Sequence, residues 1–276
     1  MIASRSGSRH SSGLVVKILI IVVLVYLAAC LVARVISEGM IFLPPPPSYT
    51  VMPDLVRISA ADGTQLAALH LRNPGARYLF LHFHGNAEDL GTTRPWLEEA
   101  RSAGFEVLSV DYRGYGRSAG QPTERAYYAD TDAIVAFCRD TLGWKIERIV
   151  VHGRSLGGAA AARVAARNPV AAVILENAFV SAYRVITLKP VLIGDRFETL
   201  DDVENPLCPV LVIYGDKDEV IGNWHGPELH EAAPEPKQLW VVKEAGHNDL
   251  PSVAGDAYWP GVRKFVDELP PQPEEN

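Results

Sequence analysis

Cysteine is scarce in this chain: 276 residues hold only Cys30, Cys138 and Cys208. Three scattered thiols exclude a disulfide framework and a cysteine-rich zinc site. A basic surplus is also lacking, since Lys and Arg number 26 against 33 Asp and Glu, for a formal net charge of -7. No sequence-wide cationic surface is on offer to a phosphate backbone, which argues against nucleic acid as a partner. With 48% hydrophobic and 21% charged residues, the composition excludes an intrinsically disordered or collagen-like chain. No internal repeat of solenoid period is visible.

What is present begins with one long hydrophobic run. Residues 1–13 are polar and carry Arg5 and Arg9, whereas residues 14–33 are apolar apart from Lys17. About 20 such residues span roughly 30 Å as a helix, the thickness of a bilayer core. Lys17 lies within a turn of the start, where its stem can snorkel, and Arg34 closes the other end. A buried soluble helix is a poor alternative, because no polar face interrupts residues 18–27. A cleaved secretory signal shares the basic start, but this run exceeds the usual apolar region of such peptides. Leu27, Ala28, Ala29 and Cys30 resemble a bacterial lipobox, with Cys30 as the lipidated residue. Leu31, Val32, Val35 and Ile36 nevertheless keep the chain apolar where a lipoprotein turns polar. The expectation is an uncleaved, single-pass transmembrane helix over residues 14–35, in contact with the lipid bilayer. Arg5, Arg9 and, at its first turn, Lys17 mark its start while Arg34 and Glu38 mark its end, which puts the N-terminus in the cytoplasm and the body on the opposite side. Residues 36–53 contain four consecutive prolines, 44–47, and are expected to form a stiff spacer.

From residue 54 to 270, short β-rich runs alternate with helical patterns, which predicts one α/β domain. Strands are expected at Leu55–Ser59, Gln65–Leu71, 78–83, 106–111, 148–152, 172–175, 210–214 and 238–242, and helices at 93–103, 127–141, 156–167 and 258–269. Ala61, Asp62 and Gly63 join the first two strands as a hairpin. The fold class is therefore α/β: a mostly parallel eight-stranded sheet flanked by helices, beginning antiparallel. Residues 271–276 read as a disordered tail.

Chemistry concentrates in four places. Gly153, Arg154, Ser155, Leu156 and Gly157 lie between an apolar strand and an alanine-rich helix, the setting of a nucleophile elbow. The plain alternative for Ser155 is a helix N-cap. A serine hydroxyl needs a base, and the base needs an acid partner to orient it. Asp216 and Asp218 follow the strand at 210–214, and His247 follows the strand at 238–242. The order Ser, Asp, His, each just past a strand end, is that of the α/β-hydrolase fold. Spacing alone does not separate the two aspartates. His82 and His84 share a strand face and invite a metal reading, but no clear third ligand lies nearby. The glycines of residues 111–120 resemble a phosphate-cradling loop, but no Lys followed by Ser or Thr is present, and turn geometry is the simpler reading.

These residues carry a family resemblance. His84-Gly85-Asn86, the stretch from Asp111 to Ser118, the elbow at Ser155 and the run from Gly246 to Asp249 resemble the α/β-hydrolase superfamily. More narrowly, the chain is similar to the membrane-associated serine hydrolases that include the abhydrolase-domain protein depalmitoylases, over about residues 42–269. The resemblance implies Ser155 as nucleophile, His247 as base and Asp218 as acid, because the family sets the acid three positions after the strand-ending glycine. It implies an oxyanion hole from the backbone N–H groups of Asn86 and Leu156, and neither metal nor organic cofactor. Arg113 and Arg117 are candidates to line the cleft. The insert at residues 176–209 is apolar through Val185, Ile186, Leu188, Val191, Leu192 and Ile193. It is expected either to wall an acyl pocket or to pack on the body. The function so implied is hydrolysis of an acyl ester or thioester substrate, lipid-modified substrates included, through an acyl-enzyme. An aminopeptidase-like amide hydrolase is the alternative, with Glu88 and Glu176 as candidate anchors for a substrate ammonium. A non-catalytic membrane-tethered binding module is the third reading.

Overall fold

The computed structural model describes residues 8–270, with side chains from residue 13 onward. Residues 1–7, including Arg5, and the expected tail at 271–276 lie outside the described residues. The chain runs α1 (Ser8–Ile41), β1 (Leu55–Ser59), β2 (Gln65–Leu71), β3 (Leu79–Phe83), α2 (Leu90–Ser102), β4 (Glu106–Val110) and α3 (Glu124–Ala136). It continues with β5 (Ile149–Arg154), α4 (Gly157–Arg167), β6 (Ala172–Glu176), α5 (Arg184–Thr187), α6 (Thr199–Val203), β7 (Val210–Gly215), α7 (His225–Ala232), β8 (Lys237–Val242), α8 (Leu250–Ala254) and α9 (Tyr258–Asp267).

Eight strands form one sheet in the order β1-β2-β4-β3-β5-β6-β7-β8. The β1–β2 hairpin and the β2–β4 pairing are antiparallel; every later pairing is parallel. Strands β3, β5 and β6 are buried on both faces, which explains their unbroken apolar character. Helices α3 and α4 cover one face, where α4 approaches closely because its buried side is built from alanines 159–162 and 165. On the other face, α2 and α9 bury Leu90, Leu97, Tyr258, Val262 and Phe265. Because parallel strands all end on one edge, the loops after β3, β5, β7 and β8 converge there.

Helix α1 carries large apolar side chains about half exposed along residues 14–27. Residues 36–41 of the expected spacer are helical, since nothing from Ser37 to Ile41 forbids it, and the prolines begin only at residue 44. The helix end is tied to the body. Arg196 donates to the Arg34 carbonyl at 2.8 Å and to Ser37 Oγ at 3.2 Å, and pairs with Glu38 and Glu124 at 3.2 and 2.8 Å. Phe42 is buried between the rings of Tyr127 and Phe197. The start of the spacer is thus packed against the body.

Candidate active site

Ser155 sits on the sharp turn between β5 and α4 with φ of 52°, a left-handed conformation that a residue with a side chain adopts only under constraint. The constraint is local. Its N–H donates to the Glu176 carbonyl on β6 at 2.9 Å, and its carbonyl accepts from Gly158 at 2.9 Å. A Cβ at Gly153 would collide with the Gly157 carbonyl, and one at Gly157 would collide with the Phe83 carbonyl of β3. The small residues of the elbow are therefore a packing requirement of the turn.

The three side chains singled out in the sequence meet at this edge. His247 Nδ1–H donates to Asp218 Oδ2 at 2.7 Å, which leaves Nε2 to accept from Ser155 Oγ at 2.9 Å. Asp218 and His247 are both buried, at 6% and 8% exposure. Burial opposes the Asp218 carboxylate, but the hydrogen bond from His247 and the N–H groups of Ile221 and Val220 hold its pKa below the ordinary range. The loop bearing His247 is fixed in turn by Asn177 Nδ2, which donates to the His247 carbonyl at 3.0 Å and the Gly246 carbonyl at 3.2 Å. Asp216, which spacing left open, lies elsewhere: it accepts from the Glu244 N–H at 2.7 Å and pairs with Lys243 at 3.3 Å.

Ser155 and His247 open on a cavity of about 420 Å³ that Asn86 and Leu156 also line. Its apolar wall comes from Met40 and Ile41 at the end of α1, Val185 and Ile186 of the insert, and Val220 and Ile221 after β7. Glu88, Arg154 and Asn248 form the polar end. The Asn86 side chain is immobilised, since its Oδ1 accepts from Tyr115 Oη at 2.6 Å and from the Leu43 N–H at 3.0 Å, while its Nδ2 donates to the Ile41 carbonyl. The segment that follows the apolar helix therefore braces the Asn86 loop. Geometrically, the arrangement can deprotonate Ser155 for attack on a carbonyl and offer backbone donors beside it.

Several other sequence expectations resolve differently. Arg113 and Arg117 do not line the cavity. Arg113 spans Asp130 and Asp62, each at 2.6 Å, and Arg117 Nε donates to the Tyr49 carbonyl at 3.1 Å, so both hold turns. His82 is fully buried 2.9 Å from His152, and burial together with that neighbour keeps it neutral. His84 packs against the Tyr112 ring at a tilt of 39° and faces Asp111. Among the described residues, no cluster of three or more His, Cys, Asp or Glu is arranged to hold a metal. Glu88 and Glu176 both face Arg154, at 2.5 and 3.7 Å. Of the two expectations for the insert, the structure shows Val185 and Ile186 on the cavity wall; Leu188, Val191 and Ile193 stay exposed instead of packing on the body, and the Val191 and Gly194 carbonyls accept from Tyr26 and Arg34 of α1, each at 3.1 Å. Sequence reasoning missed the bracing by Tyr115 and the contribution of Met40 and Ile41. For Tyr115 the only available signal was its place in the glycine-rich stretch read as a turn.

The sequence matches the family model described as Hydrolase_4, serine aminopeptidase S33, over residues 74–197. It is 34% identical over 246 residues to the human alpha/beta hydrolase domain-containing protein 17B, covering 78% of this chain and 85% of that protein. To the Caenorhabditis elegans alpha/beta hydrolase domain-containing protein aho-3 it is 32% identical over 263 residues, covering 84% and 78%. The fold superposes on a Pyrococcus furiosus esterase with a TM-score of 0.69 at 20% identity, over 82% of this chain and 99% of that one. A Rhodococcus esterase superposes with a TM-score of 0.63 at 18% identity, over 79% and 100%. At such identities the structural likeness speaks to the fold.

Proposed function

The chain is a hydrolase that belongs to the α/β-hydrolase superfamily, and from that premise we propose a membrane-anchored serine hydrolase that cleaves carboxylic ester or thioester bonds through an acyl-enzyme. The observation that carries this reading is the continuous relay from Ser155 through His247 to Asp218, at 2.9 and 2.7 Å. Ser155 Oγ attacks the acyl carbonyl carbon while its proton passes to His247 Nε2, and Asp218 stabilises the imidazolium. The carbonyl oxygen, now an oxyanion, accepts from the N–H groups of Asn86 and Leu156, each such donor contributing about 3–4 kcal/mol to the transition state. Collapse expels the alkoxide or thiolate, which takes the proton from His247. Water, deprotonated by His247, then releases the acid and restores Ser155.

Anchoring is supported by the 34-residue helix α1, whose apolar side chains stand exposed along residues 14–27. The charge asymmetry around it favours a cytoplasmic N-terminus. Cys30 is buried in the structure, and the Tyr26 bond to the Val191 carbonyl would be lost if the chain were cut just before Cys30, which favours an intact span over a lipidated cysteine. The cavity's apolar wall suits an acyl chain. Amide cleavage is the second reading, favoured by the description of the matched family model. Against it, the carboxylates of Glu88 and Glu176 already answer to Arg154 instead of standing free for a substrate ammonium.

A fluorophosphonate probe is expected to label the wild-type protein on Ser155 and to leave a folded Ser155→Ala variant unlabelled. Undiminished labelling of that variant overturns the assignment. Turnover of acyl nitrophenyl esters, acyl thioesters and aminoacyl amides ranks the leaving groups.

A further inference from the structure

The residue before the nucleophile is an arginine, and its side chain runs along the carboxyl edge of the sheet, with 18% exposure. Arg154 Nη1 donates to Glu88 Oε1 at 2.5 Å. Its Nη2 reaches the His247 carbonyl and Asn248 Oδ1, both at 3.3 Å. The other oxygen of Glu88, Oε2, accepts the N–H of Gly85 at 2.7 Å. An unbroken series of hydrogen bonds therefore leads from the loop after β3, through Glu88 and Arg154, to the loop after β8. Behind it, Glu176 Oε1 lies 3.7 Å from Arg154 Nε, and Oε2 accepts from Tyr258. Burial opposes the Glu176 carboxylate, yet His152 and the Arg154 charge hold its pKa below the ordinary range, so the guanidinium keeps an ionised neighbour.

This wiring solves a specific problem. The Asn86 loop, Ser155 and His247 follow three different strands, so no single element fixes their mutual distances. A displacement of about 1 Å among such groups costs on the order of a hundredfold in rate. A guanidinium suits the task because its planar fork directs several donors at once, where an ammonium offers a single point of charge.

We propose that Glu88 and Arg154 are a positioning pair that sets the separation between the oxyanion donors and His247; the proposal rests on the serine-hydrolase reading above. Neither side chain needs to touch the reacting atoms. Both also border a second cavity of about 220 Å³, with Thr92, Trp96 and Ser252, which leaves room beside the guanidinium.

The test uses the full-length protein in detergent micelles with a soluble short-chain nitrophenyl ester. Glu88→Gln and Arg154→Gln are each expected to lower kcat about tenfold to a hundredfold while KM moves less than about twofold. Because the two act in series, the double variant is expected to be no slower than Arg154→Gln alone. Millimolar guanidinium is expected to restore part of kcat to Arg154→Ala and none to Ser155→Ala. Wild-type kcat in either single variant, losses that multiply in the double variant, or no response of Arg154→Ala to guanidinium overturns the pairing. Should Ser155→Ala itself keep turning over, the serine-hydrolase reading falls; an inactive Ser155→Ala beside a fully active Arg154→Gln removes the positioning pair alone.

Discussion

On one side of Ser155 the cavity is bounded by Met40, Ile41, Val185, Ile186, Val220 and Ile221; on the other it is bounded by Glu88, Arg154 and Asn248. The apolar side is assembled from three segments remote in sequence: the end of α1, the insert after β6 and the loop after β7. It works by contact area, at about 25 cal/mol per Å² without directional demand, so it tolerates exchange of one aliphatic side chain for another. The polar side depends on hydrogen bonds whose angles and lengths matter, with both terminal nitrogens of Arg154 directed at acceptors on the neighbouring loops. On the proposed serine-hydrolase reading, errors on the polar side are expected to appear in the rate of chemistry, and errors on the apolar side in which acyl group is accepted.

The largest effect is expected where that contrast is sharpest. Asp218→Asn removes the acceptor that fixes the His247 tautomer and is expected to lower kcat by about 10⁴-fold with little change in KM. Asp216→Asn, in contact with Glu244 and Lys243 instead, is expected to stay within about twofold. Steady-state kinetics on a short-chain ester checks both, and equal losses would erase the distinction between the two aspartates.

A smaller, selective effect is expected on the apolar side. Ile186→Asp places a charge where two or three methylenes of a long acyl chain would lie, at about 0.8 kcal/mol each. The ratio of kcat/KM for a long-chain over a short-chain ester is expected to fall about tenfold, with the short-chain value nearly unchanged. A uniform loss across chain lengths would show that the two sides are not separable.

The smallest effect concerns a polar group beneath the apolar side. His225 is fully buried, accepts from the Val180 N–H at 3.1 Å and stacks on Trp224. Burial and the nearby Arg184 charge lower its pKa to about 4. The unfolded chain takes up this proton near pH 6.5, whereas the folded one does so only near 4, so stability is complete above about 6.5 and declines as pH falls through that window. His225→Gln keeps an acceptor for Val180 and is expected to flatten that part of the curve, as urea unfolding at pH 7 and pH 4.5 would show.

Much of this architecture could be read from the chain. Alternation and β-branched runs located all eight strands to within a residue or two, because strands buried on both faces need unbroken apolar sequence. The elbow was visible because its glycines are demanded by atoms close to it in sequence or on the neighbouring strand. Helix α7 gave no such signal: His225–Ala232 buries only His225, Gly226 and Leu229, too few apolar positions to mark a face. The end of α1 lies beyond the expected boundary because a run without proline or charge clusters does not announce where the apolar helix stops and the body begins. Arg113 and Arg117 looked available for a substrate because their partners, Asp62, Asp130 and Tyr49, lie far along the chain.

The positions of the strands along the chain, the small residues of the turn at Ser155 and the apolar N-terminal helix were legible in the sequence itself, since each follows from local sterics or from periodic burial. Which aspartate meets His247, how Asn86 is braced through Tyr115 and Ile41, and where Arg154 directs its donors were decided only in the tertiary structure. The physical reason is that a hydrogen bond depends on position and angle in space, and the segments that make these bonds are separated by 29 residues for His247 and Asp218 and by 93 for Arg154 and His247.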